Sequence, residues 1–177
     1  MSDIDAKTLF SLDGKVALIT GGSRGLGWMI AEGYLQAGAK VYISSRKKAV
    51  CGQVAADLSA QGACTSLPAD LATSGGRATL VRELNERESA LHVLANNAGA
   101  SWGTSYAEFP EAGFDKVFDL NVKSLFFLTR DLTPMLEQGA TPEDPARVIN
   151  IGSMDGLHVP TVLPTGTFAY SASKAAV

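Results

Sequence analysis

The sequence predicts an α/β fold built on a doubly wound parallel sheet with helices on both faces, and three observations predict it. Short apolar runs of strand length recur along the chain, each followed by a stretch of helical character; such alternation gives parallel strands covered on two sides. The first unit passes from strand to helix through a glycine cluster, Gly21-Gly22-Ser23-Arg24-Gly25-Leu26-Gly27. With 177 residues, 46% of them hydrophobic, the chain has material for one domain with an ample core. Right-handed crossovers then leave the doubly wound, three-layer arrangement as the economical topology.

In chain order, residues 1–12 read as a polar extension and 13–177 as a single domain. Residues 15–20 contain the run Val16-Ala17-Leu18-Ile19, the pattern of a strand buried on both faces. Behind the glycines a helix is expected with Ile30, Tyr34 and Ala37 on one side, and Gly38 is placed to end it. The alternation continues with strand 40–45, helix 47–61 (Val50, Val54 and Leu58 on one face), strand 63–68, helix 74–88 and strand 91–96. A long helical region over 111–138 follows, then the surface loop Thr141-Pro142-Glu143-Asp144-Pro145 and strand 147–152. A last helix carries Tyr170 and Lys174.

Composition narrows the function. A formal charge of −3 supplies no basic field, so nothing in the composition argues for nucleic acid or an anionic membrane surface as a partner. The start of the chain lacks the charged and apolar stretches of a secretory signal, and no apolar run approaches the roughly 18–20 residues that span a bilayer; a cytoplasmic protein is expected. Cys51 and Cys64 have no metal-type spacing and no histidine cluster beside them, so neither a disulfide nor a metal is expected.

Two constellations carry chemistry. A strand, a glycine loop and a helix in succession cradle a pyrophosphate, because glycine permits a tight turn and close approach, and the helix start offers free N–H groups. Near the other end, Tyr170 and Lys174 lie four apart and therefore share a helix face, about 5–6 Å from each other. Ser153 precedes them in Ile151-Gly152-Ser153. A phenol, a cation that favours its ionised form and a hydroxyl that can hold a carbonyl oxygen make an acid–base set. Tyr-x3-Lys alone arises readily by chance, so its context decides.

The context is Thr20-Gly21-x-x-x-Gly25-x-Gly27, Asn96-Asn97-Ala98-Gly99, Ser153 and Tyr170-x-x-x-Lys174, in that order. Together they resemble the short-chain dehydrogenase/reductase family, from Leu12 onward. Arg24 stands where the sugar-nucleotide epimerase branch of that family would place glycine. The resemblance implies a Rossmann-type domain and a nicotinamide cofactor. Its pyrophosphate would lie on Gly21, Ser23, Arg24, Gly25, Leu26 and Gly27, and its adenosine end near Ser45, Arg46, Asp70 and Leu71. Asn97, Ala98 and Gly99 would shape the loop beside it. The resemblance further implies that Tyr170 and Lys174 contact the cofactor, that Ser153 and Tyr170 act on the substrate, and that Asn121 holds a water behind the lysine. Asp70 has a second reading, a cap for the following helix. His92 and Ala95 depart from the family's usual aspartate and valine, and His92 reads as structural.

For the form of the cofactor, an acid at the end of the second strand would bind the ribose 2′-hydroxyl, whereas positive charge accommodates a 2′-phosphate. Val41-Tyr42-Ile43-Ser44-Ser45-Arg46-Lys47-Lys48 holds no acid, and Arg24 can reach the same place, so NADP(H) is expected. The expected reaction interconverts a ketone and a secondary alcohol. Trp102, Met154, Leu157, Val159 and Leu163 are expected to form an apolar rim suited to an acyl or hydrocarbon-bearing ketone. The surrounding wording resembles 3-ketoacyl reductase-like members, including those linked to rhamnolipid synthesis, which implies an acyl thioester substrate and a homo-oligomer. A cofactor-binding protein without catalysis remains the alternative. No terminator follows Lys174 before Val177, and the family's helix continues there. A chain lacking the last part of the usual domain is therefore expected, with an open fifth strand, and weakly active, unstable or aggregation-prone alone.

Overall fold

The computed structural model describes residues 6–158 and 166–177. Five strands lie parallel: β1 (Val16–Thr20), β2 (Lys40–Ser44), β3 (Cys64–Ser66), β4 (Val93–Asn96) and β5 (Arg147–Asn150). Their order is β3-β2-β1-β4-β5, so the winding reverses between β1 and β4. Register runs from Val16 opposite Lys40 to Thr20 opposite Ser44, and from Ala17 opposite Val93 to Ile19 opposite Ala95. The doubly wound expectation holds.

Every residue of β1 is buried, because alternate side chains feed two separate cores. Ala17 and Ile19 pack with Val41, Ile43 and Ala95 under helices α2 (Gly25–Gln36) and α3 (Lys48–Leu58). Val16 and Leu18 face the opposite way. They join Tyr42 and Leu94 with Leu80 and Leu84 of α4 (Ser74–Asn85) and Leu128 and Leu132 of α6 (Ser124–Gln138).

Three helical expectations need correction. The inner face of α2 is Gly27, Ala31 and Leu35, while Ile30 and Tyr34 are only half-buried at its flanks. Small residues face inward there because the start of α2 must lie close against the glycine loop. In α3, Cys51, Ala55 and Leu58 are buried and Val50 is 45% exposed. The helical region over 111–138 is continuous but not uniform: α5 (Glu111–Phe118) passes into a π-helical turn, Asp119–Lys123, before α6. A final helix, α7 (Phe168–Ala175), follows the turn Met154–Gly156. Strand β5 ends two residues before the expected 152, and Val148 and Ile149 on it are exposed. Near the start of the chain α1 (Ala6–Leu9) precedes Leu12, whose N–H donates to the Ala37 carbonyl at 2.7 Å, so Leu12 already packs with the domain.

Cys51 is buried and Cys64 half-buried, and both thiols are free. Burial, with Cys51 nearby, pushes the Cys64 thiol up to about 11. Among the described residues no helix is long and apolar enough to cross a membrane, and no cluster of His, Cys, Asp and Glu is placed to hold a metal.

His92 acts at the opposite end of the sheet from the glycine loop. Its Nδ1 accepts from the Val16 N–H at 3.0 Å, and its backbone bonds to Val16 and Arg147, joining β1, β4 and β5. Burial first and the Lys15 ammonium second lower its pKa below 6.5, against the opposing charges of Asp144 and Glu88. The unfolded chain therefore takes up this proton before the folded one. The stabilising contribution is complete above about pH 6.5 and is lost as pH falls through the folded value. Thermal melts across that range should show less acid sensitivity in His92→Asn, which keeps an acceptor near the Nδ1 position but cannot titrate. An unchanged slope would remove His92 from the acid response.

Candidate active site

The winding reverses between β1 and β4, and the C-terminal ends of the strands at such a point are the usual place for a ligand crevice. Thr20 ties the two ends together. Its hydroxyl donates to the Ala95 carbonyl at 3.2 Å and accepts from the N–H groups of Asn97 and Ala98, both at 3.0 Å. The Asn97 amide returns the link, donating to the Thr20 carbonyl at 2.9 Å and to that of Gly21 at 3.4 Å. Gly21 has a φ of 67°, and a Cβ on Gly27 would lie 2.3 Å from the Gly21 carbonyl oxygen. Both positions require glycine, one for its backbone and the other for contact.

Above this junction opens a cleft of about 660 Å³. Gly21, Ser23, Arg24, Gly25 and Leu26 form one wall, Ser45 and Arg46 another, and Leu71, Asn97, Ala98 and Gly99 the rest. Eleven of the residues expected from the sequence to bind a cofactor thus converge on one cavity, and Gly27 lies just beneath it. Ser44, Lys47, Val50, Ala69 and Leu120 also line it, and sequence reasoning did not assign them. Lys47 stood in the basic run after β2 and could have been found there.

Asp70 takes no part in the lining. Its carboxylate accepts from the Ala72 N–H at 3.2 Å within its own turn, while Thr73 caps α4 by accepting from the Gly76 N–H at 3.0 Å. The capping role open to Asp70 is thus taken by Thr73.

The charge of the cleft is one-sided. Arg24, Arg46 and Lys47 line it, no Asp or Glu does, and none of the three cations has an ion-pair partner among the described residues. At the same end of β2 the hydroxyls of Ser44 and Ser45 are buried without a hydrogen-bond partner. Buried polar groups are normally paired. Free cations beside unpaired hydroxyls fit an anionic, oxygen-rich ligand such as a phosphorylated ribose.

Beyond β5, Ser153 begins the turn Met154–Gly156, its Oγ accepting from the Asp155 N–H at 3.2 Å. That turn packs against α7 so closely that a Cβ on Gly156 would lie 2.5 Å from the Lys174 carbonyl oxygen. The Lys174 ammonium donates to the Ile151 carbonyl and stands 5.9 Å from the centroid of the Tyr170 ring. Its half-burial lowers the lysine pKa. Tyr170 is half-buried, and no described residue bonds its hydroxyl. Ser153, Tyr170 and Lys174 are thus carried by two elements in direct contact.

Asn121 sits in the π-turn, 2% exposed, with its amide bonded to Ala100 and Ser173. Of the expected rim, Met154 and Leu157 are exposed, whereas Trp102 is half-buried against Gly113 with the Lys116 ammonium 5.0 Å from its ring centroid. Val159 and Leu163 lie outside the described residues.

A family profile described as short chain dehydrogenase matches residues 15–177. The chain belongs to the short-chain dehydrogenase/reductase family. Among members of that family, the rhamnolipids biosynthesis 3-oxoacyl-(acyl-carrier-protein) reductase of Pseudomonas aeruginosa is 46% identical over 168 residues, spanning 95% of this chain and 64% of the relative. The 2-dehydro-3-deoxy-D-gluconate 5-dehydrogenase of Dickeya dadantii is 34% identical over 95% of this chain and 63% of its own. Among solved structures, the Pseudomonas aeruginosa RhlG/NADP active-site complex superposes with a TM-score of 0.89 at 47% identity, over 94% of this chain and 64% of that one. A 3-oxoacyl (acyl-carrier-protein) reductase from Agrobacterium tumefaciens C58 with NADP bound gives 0.83 at 28% identity, over 99% and 65%. The chain therefore spans somewhat less than two thirds of the length of these family members.

Proposed function

We propose that this chain carries the cofactor cleft and acid–base residues of an NADP(H)-dependent oxidoreductase that interconverts a ketone and a secondary alcohol. The observation that carries the reading is a glycine-floored cleft at the reversal of the sheet, lined among the described residues by three cations without an ion-pair partner and by no acid. Its likeness to two NADP-bound structures supports the same cofactor.

The backbone of Gly21 to Leu26 would hold the pyrophosphate at the start of α2, and Arg24, Arg46 and Lys47 the 2′-phosphate. NADPH, when bound, supplies the hydride. Ser153 then donates a hydrogen bond to the carbonyl oxygen as negative charge develops on it, and Tyr170 gives that oxygen its proton. The Lys174 ammonium favours the phenolate left behind and orients the ribose.

An acyl-bearing ketone, such as a 3-ketoacyl thioester, is the substrate class we infer. The exposed apolar Met154 and Leu157 beside Ser153 and the 3-oxoacyl reductase relatives support it. NADPH oxidation measured across 3-ketoacyl thioesters of several chain lengths and a set of cyclic ketones tests the reading. Cofactor binding without turnover on any of them would leave the non-catalytic alternative.

Cofactor preference gives a separate expectation. Titrations should show tighter binding of NADPH than of NADH, and replacing Arg24 and Arg46 together by alanine should erase most of the difference. Each charge-assisted phosphate contact is worth about 1.5–3 kcal/mol. Equal affinities in the unmodified protein would overturn this assignment.

A further inference from the structure

Ser173 immediately precedes Lys174 on α7, is fully buried, and has no role in the reading above. Its hydroxyl donates to the Tyr170 carbonyl at 2.7 Å and accepts from the Asn121 Nδ2 at 2.9 Å. The same Nδ2 also donates to the Ala100 carbonyl at 3.0 Å, and the Asn121 Oδ1 accepts from the Ala100 N–H at 2.8 Å. Both amide protons of Asn121 are therefore used, and an unbroken series of bonds runs from Ala100 through Asn121 and Ser173 to Tyr170. Ala100 directly follows Gly99, which lines the cleft; Tyr170 lies on the helix that also carries Lys174.

The π-turn makes the connection possible. Inserting one residue into the helix between α5 and α6 widens it at Asn121, where the Ser124 N–H reaches back to the Asp119 carbonyl and the Ser124 hydroxyl donates to that of Leu120. Propensity does not explain a serine at 173, since alanine is a better helix former and would suit the same burial. The hydroxyl is explained by its two bonds.

We propose that Ser173 is a positioning residue for the reaction: through Asn121 and Ala100 it sets α7, with Tyr170 and Lys174, at a fixed place relative to the floor of the cofactor cleft. The role in catalysis rests on the reductase reading; the bonded connection itself does not. Ser173→Ala strands an Asn121 N–H where water has little access, because Asn121 and Ser173 are 2% and 0% exposed. α7 and the Ala100 loop then lose their common reference while the glycine wall, Ser45 and Arg46 stay as they are.

The test pairs hydrogen exchange with kinetics in Ser173→Ala and Ser173→Thr, the second keeping a hydroxyl. In Ser173→Ala the Ala100 amide should exchange about tenfold faster, with amides of β1 and β2 unchanged. Its kcat for ketone reduction should fall about tenfold while the KM and binding constant for NADPH stay within about twofold. Ser173→Thr should move both measurements back toward the parent. Unchanged Ala100 protection in Ser173→Ala overturns the proposal, and so does an unchanged kcat. A parallel loss of kcat and NADPH affinity would make Ser173 a residue of the fold alone and also overturns it. If the unmodified chain binds NADPH without turning over, the reductase reading fails, and the exchange at Ala100 still decides whether Ser173 holds the loop.

Discussion

Tyr170→Phe is expected to reduce NADPH-dependent ketone reduction by about 10²–10⁴-fold, the range that a positioned general acid supplies. Cofactor affinity should change by no more than about twofold. The substitution removes one oxygen and keeps the ring, so the edge that α7 presents to the 154–156 turn is preserved. Because no described residue bonds the Tyr170 hydroxyl, its loss strands no donor or acceptor among the described residues, and the melting temperature should hardly move. That separation is what makes the variant decisive: rate is lost while fold and binding are not. The Lys174 ammonium, bonded to the Ile151 carbonyl and close to the Tyr170 ring, remains in this variant, so any activity it supplies as an acid would show as the residual rate. Steady-state rates and NADPH titrations on the same preparations give the answer. A variant that reduces ketone at the parent's rate would take Tyr170 out of the chemistry.

Much of the cofactor cleft was legible because its determinants are local. The glycine loop, the acid-free run after β2 and the Asn96-Asn97-Ala98-Gly99 turn each lie within a few residues of chain, and a parallel sheet brings successive strand ends to one edge. What was not legible depends on contacts across long separations. Periodicity groups the large apolar Ile30 and Tyr34 on one side of α2, but it does not pick out the face that is buried most deeply. The true face, Gly27 and Ala31, is chosen by how near the helix must come to Gly21. Asp70 precedes α4 and offers itself as that helix's cap, yet Thr73 provides it. Local bonding to its own turn competes with that role, as short acidic side chains often do. Ser173 gave no signal at all, since its partner Asn121 is 52 positions away and reaches it only through a π-turn that no propensity foretells. Ser153, Tyr170 and Lys174 fall between these cases. Their spacing was readable, but the packing of the 154–156 turn against α7 that unites them was not.

Gly27→Ala is expected to have the second large effect, and it acts on binding rather than chemistry. The new methyl carbon would stand 2.3 Å from the Gly21 carbonyl oxygen, 2.8 Å from its carbon and 2.5 Å from the Asn97 Nδ2. Two of these atoms are main chain, so no side chain can swing aside. The glycine loop must move off Asn97, and Asn97 is the group that joins the β1 and β4 ends through the Thr20 and Gly21 carbonyls. Overpacking of this kind costs about 1–3 kcal/mol of stability. Since both cleft walls hang from the displaced junction, NADPH affinity should fall by about tenfold to a hundredfold, on the order of 1.4–2.7 kcal/mol. Gly33→Ala, in the same helix, is the control: nothing lies within 4 Å of its added carbon, so it should bind NADPH normally and gain up to about 1 kcal/mol of stability. Calorimetric melts and cofactor titrations on the two variants separate helix propensity from contact. Parent-like NADPH binding in Gly27→Ala would mean that the cleft does not depend on the close approach of α2 to the glycine loop.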